Sequence, residues 1–299
     1  AQQDIVIVGI DESSLKQIGR WPWKRSIHAT LLNRLTDAGA KVVVLDIILS
    51  EPDRSNPAGD RVMADAVRRN GRVILPLVSD VFEGRPSGES LPVAEIADAA
   101  ASIAQISLQL DLDGVLRQVP LRAGFGAARH DTFAVSVLRR IEPDGWGTKA
   151  NLPGEANPKR IAYSRDWVSD HFYFIPFAGP PGHFRTVPYI DVLRGDIAPG
   201  ELAGKIVLVG ATASSLTDQY PTPAGGASAM AGIEVHANIL QGLREGIEIR
   251  AVTQAVQVAV AIVVILVLML SYLWLTPRMS LLVTIAIAAA AITGSATIF

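Results

Sequence analysis

Residues 251–275, AVTQAVQVAVAIVVILVLMLSYLWL, carry no charged side chain. Wound as an α-helix at about 1.5 Å per residue, the run reaches roughly 37 Å, more than the ~30 Å hydrocarbon core of a bilayer. A tilted transmembrane helix over 250–275 is the expectation. TPRM follows at 276–279, and SLLVTIAIAAAAITGSATIF then runs uncharged to Phe299. This second run, 280–299, is just long enough to cross, so the pair predicts a hairpin in the lipid bilayer. Arg278 lies in the turn, and the positive-inside tendency places that turn in the cytoplasm and residues 1–249 outside. Gln254 and Gln257, three apart near the start of the first span, are expected to be solvated at the membrane interface, with a hydrogen bond across a dimer interface as the alternative.

Arg278 is also the last charged residue after Arg250, which leaves 26 basic and 29 acidic side chains in the first 250 residues. That balance is no polyanion footprint, so no nucleic-acid partner is expected. Cysteine is absent, which excludes disulfides, thiolate metal sites and a cysteine nucleophile. The chain does not open on Met, so a mature or truncated form is expected, with a signal or anchor upstream. The topology likewise calls for one further helix beyond Phe299 before any cytoplasmic output domain.

In the N-terminal part, DIVIVGID and KVVVLDI (41–47) read as short β-branched strands ending near Asp11 and Asp46. Between them, Ile27, Leu31, Leu32 and Leu35 recur at helical spacing from about Ser26 and stop at Gly39. The pattern repeats with Val62, Met63, Ala66 and Val67 on one helical face, Gly71 as the stop and VILPL as a strand. Further on, KIVLVG reads as a fourth buried strand, followed by a loop and the helix IEVHANILQGLREG. Helices between near-continuous apolar strands predict an α/β fold, with a mainly parallel or mixed sheet flanked by helices and followed by transmembrane helices. The middle is less regular. Two strands are expected to meet at an Asp113-Gly114 turn, DTFAVSVLRRI reads as a helix, and 143–188 reads as an insertion or lid with short strands at RIAYS and HFYFIPF.

Familiar catalytic motifs do not fit. The lysine of GELAGKIVLV precedes a strand instead of opening a helix, so it is not a phosphate-binding loop. GFGAARH lacks the third glycine of a dinucleotide fingerprint, and no G-x-S-x-G, H-E-x-x-H or paired-histidine zinc spacing occurs. What remains is positional. Asp11, Asp46 and the loop from Thr212 to Asp218 follow predicted strands, where open parallel sheets bind ligands. The three aspartates could converge on a divalent cation or a polar solute, or simply cap helices and brace loops.

GRWPWKRSIH (19–28) carries the same ambiguity. Pro22 restrains the backbone so that Trp21 and Trp23 brace the start of the first long helix. Alternatively the indoles form an aromatic wall, with Lys24, Arg25 and His28 beside it for an anionic or ring-bearing ligand.

Three stretches in order, IVGIDESSLKQIGRWPWKRSIHATLLNRLTDAGAKVVVLDIILSEPD, DLDGVLRQVPL and KIVLVGATASSLTDQYPTPAGGASAMAGIEVHANILQGL, resemble the type 2 CHASE domain. The resemblance spans roughly residues 4–246. It implies an extracytoplasmic sensor in a bacterial inner-membrane receptor, its residues 1–249 in the periplasm or outside the cell. One membrane helix would precede the domain and usually three follow it. The outputs of such receptors are adenylate or guanylate cyclases, kinases or diguanylate-signalling modules, and they imply a homodimer. Trp21, Trp23, Arg25, His28, Asp46, Asp218, Tyr220 and His236 match the motifs, but the resemblance supplies no ligand.

Three readings stay open. The first is a sensor of a small ligand or ion, without catalysis, whose site residues are Trp21, Trp23, Arg25, His28, Asp11, Asp46, Thr212, Asp218 and Tyr220. The second is a ligand-free dimerisation module, and the third a metal-dependent hydrolase using Asp11, Asp46 and His28.

Overall fold

A computed structural model describes the chain except residues 1–3, 55, 148–151, 158–165, 199, 217 and 299, and the side chains of 254 and 292–299. It divides into two compact units, Ala1–Ile249 and Arg250–Phe299. The first strand, β1 (Ile5–Ile10), leads through α1 (Glu12–Ile18) and α2 (Arg25–Asp37) to β2 (Val42–Leu45), and α3 (Pro57–Asn70) leads to β3 (Val73–Phe82). Then come β4 (Arg85–Ser90), α4 (Ala94–Ala97), β5 (Ser102–Gln105), β6 (Gln118–Phe125), β7 (His130–Asp131) and α5 (Phe133–Ile141). After a helical turn at Pro143–Gly147 follow β8 (Trp167–Phe174), β9 (Thr186–Pro188), α6 (Tyr189–Arg194) and β10 (Ile206–Ala211). The unit closes with β11 (Gln219–Tyr220), β12 (Met230–Ala231) and α7 (Gly232–Glu245).

Seven strands form the main sheet in the order β4-β3-β2-β10-β1-β9, with β5 paired to β3. All its pairings are parallel except β3 with β4. The strands alternate between two cores, as the two-residue period of a strand requires. Ile5, Ile7, Val42, Val44, Ile206 and Leu208 face the core that contains α5 and α7. Val6, Val8, Val43, Leu45, Val207 and Val209 face the core of α2, α3 and α6. Both faces are covered, which explains why these strands read as continuous β-branched runs.

Several local expectations shift. The helix expected from Ser26 begins at Arg25, with Lys24 before it. In α3 the buried face includes Met63, Ala64, Ala66 and Val67, while Val62 is exposed, because burial centres on the Met63–Val67 line and Val62 lies about 100° round the helix. Gly71 does end α3 in the left-handed region at φ 66°. The Asp113-Gly114 turn exists, but it joins no hairpin: β5 belongs to the main sheet, and β6 pairs antiparallel with β7 and β8 in a separate three-stranded sheet. The hairpin lies earlier, at β3 and β4, where Glu83 and Gly84 both take positive φ. Within 143–188, β8 supplies the strand read at HFYFIPF, and Trp146, Leu152, Tyr173, Ile175 and Phe184 are core residues. RIAYS lies outside the described residues.

The second unit contains α8 (Gln254–Trp274) and α9 (Pro277–Ile298). Among the described residues, Ala255–Trp274 is the one stretch long and apolar enough to cross a membrane, and the comparable part of α9, Pro277–Ala291, is shorter. The Ser280 hydroxyl donates to the Ser271 carbonyl at 2.8 Å and ties the two helices together. Gln257 folds back to donate to the Val252 carbonyl at 2.7 Å.

Candidate functional site

The connections leaving the central strands set the position of the site. β1 and β2 lead to α2 and α3 on one face, and β10 leads to α7 on the other. Neighbouring strands whose connections diverge leave a crevice at their carboxyl ends. A cavity of about 530 Å³ opens there, bounded by Ile10 at the end of β1, Asp46 to Ile48 after β2, and Ala211, Ser215, Leu216, Asp218 and Tyr220 from the end of β10 onward. It also reaches Ile106 and Leu108 beyond β5 and His236 on α7.

Seven of the nine residues singled out in the sequence line this cavity: Trp21, Trp23, Arg25, His28, Asp46, Asp218 and Tyr220. The Trp21 and Trp23 rings, either side of Pro22 and its cis peptide bond, meet edge to face at 5.1 Å. Trp23 is buried, donates its indole N–H to the Gly19 carbonyl at 2.9 Å, and stacks at a tilt on Tyr189 at 4.9 Å. Trp21, half-buried, stands 5.7 Å from the His28 ring. The WPW segment thus braces α2 and forms one wall of the crevice.

Arg25 is already engaged. Its Nε donates to Asp60 at 3.2 Å and its Nη2 to the Glu51 carbonyl at 2.8 Å, while Asp60 accepts from the Asp53 amide. These bonds clamp the loop after β2 onto α2 and α3. Arg25→Ala leaves the buried Asp60 carboxylate without its cation, and we expect a loss of about 2 kcal/mol in urea unfolding. Asp60→Asn should cost less, because the amide keeps a hydrogen-bond partner for the loop.

Asp46 follows β2 directly, and its backbone N–H donates to the Val209 carbonyl at 2.8 Å. Its carboxyl makes no hydrogen bond or ion pair among the described residues. Burial, and then repulsion from Asp218, push its pKa up to about 8, so it holds a proton at neutral pH. Burial also raises Asp218, although the Tyr220 hydroxyl donates to it and opposes the shift. The Asp218 carboxylate closes on the start of α7 so tightly that a Cβ on Gly232 would stand 2.4 Å from it.

Two imidazoles complete the lining. His28 shares a 2.8 Å hydrogen bond between Nδ1 and the Tyr189 hydroxyl. The Trp23 carbonyl is close enough to the ring to oppose the lowering of its pKa as a hydrogen-bond acceptor, although Nε2 has no partner of good geometry among the described residues. His236 packs edge to face on Phe133 at 5.2 Å, and its Nδ1 is likewise unpartnered. Burial lowers both rings to about 4, with Arg25 adding to the effect on His28, so both are neutral at pH 7.

Asp11 and Thr212 are placed elsewhere. Asp11 caps α1, its Oδ1 accepting from the Ser14 amide at 2.9 Å and its Oδ2 from the Ser13 hydroxyl at 2.9 Å. Thr212 packs against Gly9 with its hydroxyl buried and without a partner. Among the described residues no group of three or more His, Cys, Asp or Glu side chains is placed to hold a metal ion. Sequence reasoning missed Tyr189, whose importance rests on a contact across 161 residues. His236 matches the motifs of the family resemblance but is not among the candidate site residues read from the sequence.

The family model of the CHASE2 domain matches residues 1–274. No curated protein and no solved structure matches the chain significantly.

Proposed function

The chain belongs to the CHASE2 domain family, an extracytoplasmic sensory class, and we propose that its crevice is the signal-binding site of a bacterial inner-membrane receptor. The observation that carries this reading is the convergence of Asp46, Asp218, His28 and His236 on one cavity, with His28 Nε2 and His236 Nδ1 lacking a hydrogen bond of good geometry among the described residues. Buried polar atoms are ordinarily satisfied, so a site that leaves them open is built for a ligand that completes them.

Coupling in this reading runs through α7. The helix begins beside Asp218 and ends eight residues before α8, in the stretch 246–253. A ligand that binds two positions of α7 unequally would shift their populations, and the segment through Arg250 would pass the change to a membrane hairpin of two spans. A cyclase output, adenylate or guanylate, and a homodimer complete the receptor. The hydrolase reading finds less support, because Asp11 is spent on α1 and no metal-binding group is placed in the crevice among the described residues.

Native mass spectrometry of the detergent-solubilised chain, purified without added ligand, tests the reading. A small molecule that accompanies the wild type and disappears in Asp46→Ala is the expected outcome. An empty dimer in both proteins would favour the ligand-free assembly module.

A further inference from the structure

Resting on the sensing role of the crevice, we propose that its ligand is a small organic ammonium ion. Its nitrogen lies between the Asp46 and Asp218 carboxyl groups and its carbon frame lies against Trp21.

The charges of the lining favour a cation. The positive side chain, Arg25, is tied to Asp60 and the Glu51 carbonyl. The two acidic side chains have no ion-pair partner among the described residues, and Asp218 is close enough to disfavour the charge of Asp46. A neutral polyol would satisfy hydrogen bonds but bring no counter-charge, so Asp46 would keep its proton. An anion would add to it. A bare divalent ion lacks a set of three ligating side chains here. An ammonium group supplies the missing charge together with N–H donors.

The imidazoles give a second, independent indication. His28 is 1% exposed and His236 2% exposed, both line the cavity, and each carries a ring nitrogen without a partner. In the tautomer that donates Nδ1–H to the Tyr189 oxygen, the Nε2 of His28 is an acceptor. His236 Nδ1 is an acceptor in the tautomer protonated at Nε2. Acceptors on the lining of the same cavity as two carboxyl groups suit N–H donors. The half-buried Trp21 ring offers an aromatic face of the kind that attracts cations and packs against alkyl or aryl carbon.

Proton balance follows from the same arrangement. In the empty crevice the Asp46 carboxyl keeps its proton. When the ammonium ion arrives, Asp46 ionises, the proton passes to bulk water, and two carboxylates face one cation. The other groups around Asp46 are Asp218, Tyr220, Arg25, His28 and His236. Above about pH 6.5 both rings stay neutral and Tyr220 stays protonated, so with Asp218 already charged one proton leaves per ligand. Affinity therefore rises about tenfold per pH unit up to roughly pH 8.

Thermal-shift measurements on the detergent-solubilised full chain test the ligand class with simple probes. These are butylammonium, 2-phenylethylammonium and butane-1,4-diammonium, each matched with its alcohol and its carboxylate of similar shape. The expected result is stabilisation by ammonium probes alone. The best probe, titrated calorimetrically at about pH 6.5 and 7.5 in buffers of differing ionisation enthalpy, should bind about tenfold tighter at the higher pH with release of one proton. Asp46→Asn, which keeps the side-chain shape, should abolish the release and weaken binding at least about tenfold, a 1.4 kcal/mol change.

Equal stabilisation by the alcohols, or stabilisation only by the carboxylates, overturns the ammonium assignment and leaves the crevice a sensing site. Silence from all nine probes overturns the ammonium assignment as well. Silence together with an empty wild-type protein in native mass spectrometry removes the sensing role too.

Discussion

Asp46→Asn is expected to make the protein more stable, by an amount that grows with pH. The unfolded chain ionises Asp46 near its ordinary value, about 3.9, while the folded chain holds the proton up to about 8. Between those limits the folded state binds more protons than the unfolded state, so stability falls as pH rises, by up to about 1.4 kcal/mol per pH unit from this one group. Asparagine has nearly the same shape and no charge to bury. At about pH 4 wild type and variant should melt together, and at about pH 7.5 the variant should be on the order of 5 kcal/mol more stable, roughly 10–20 °C in melting temperature. A variant that melts lower than wild type at pH 7.5 would show that the Asp46 carboxyl has a partner worth more than its burial costs.

Acid should act in the opposite sense through His28 and His236. Their pKa values fall from about 6.5 in the unfolded chain to about 4 in the folded one, so the unfolded state takes up protons first as pH drops. The stability that depends on the neutral rings is fully present above pH 6.5 and is lost between pH 6.5 and 4, roughly 3 kcal/mol for each ring at the limit. Two rings outweigh Asp46 in that window, so the stability curve should peak near pH 6.5. The measurement is urea unfolding across pH 4 to 8 in wild type, His28→Asn and His236→Leu. Each variant should remove about half of the acid slope, and an unchanged slope in both would place the acid-sensitive groups elsewhere.

The sequence made the sheet legible where burial was uniform. β1, β2 and β10 are runs of Val, Ile and Leu because both faces are covered, and no other element produces that pattern over so few residues. It failed where pairing was the issue. Asp113-Gly114 is a turn in any setting, but only tertiary structure decides that β5 and β6 enter different sheets. The Glu83-Gly84 hairpin went unseen because its strands end in exposed Val81 and Phe82 and lack clean alternation. At the site, strand-end position located Asp46 and Asp218, since a residue after a parallel strand is placed by the strand itself. Position alone could not separate them from Asp11, which also follows a strand and whose neighbours Ser13 and Ser14 turn it into a cap. The unpartnered nitrogens of His28 and His236 are properties of packing, and no sequence pattern records them.

The order of strands has a consequence for how the domain is made. β1 and β2 do not touch each other; β10, whose residues lie some 160 and more positions later, sits between them. Until β10 arrives, the first two strands each lack the neighbour that buries their hydrogen-bonding edge. The central sheet therefore cannot close during synthesis or export of the first two hundred residues, and the late segment that completes it also carries Asp218 and α7. Long-range parallel pairing of this kind is slow and leaves apolar edges open in the meantime. The crevice and the helix α7 come into being in the same late event, so a chain with a misformed site is also a chain with an unfinished core, open to the proteases and chaperones that survey new proteins.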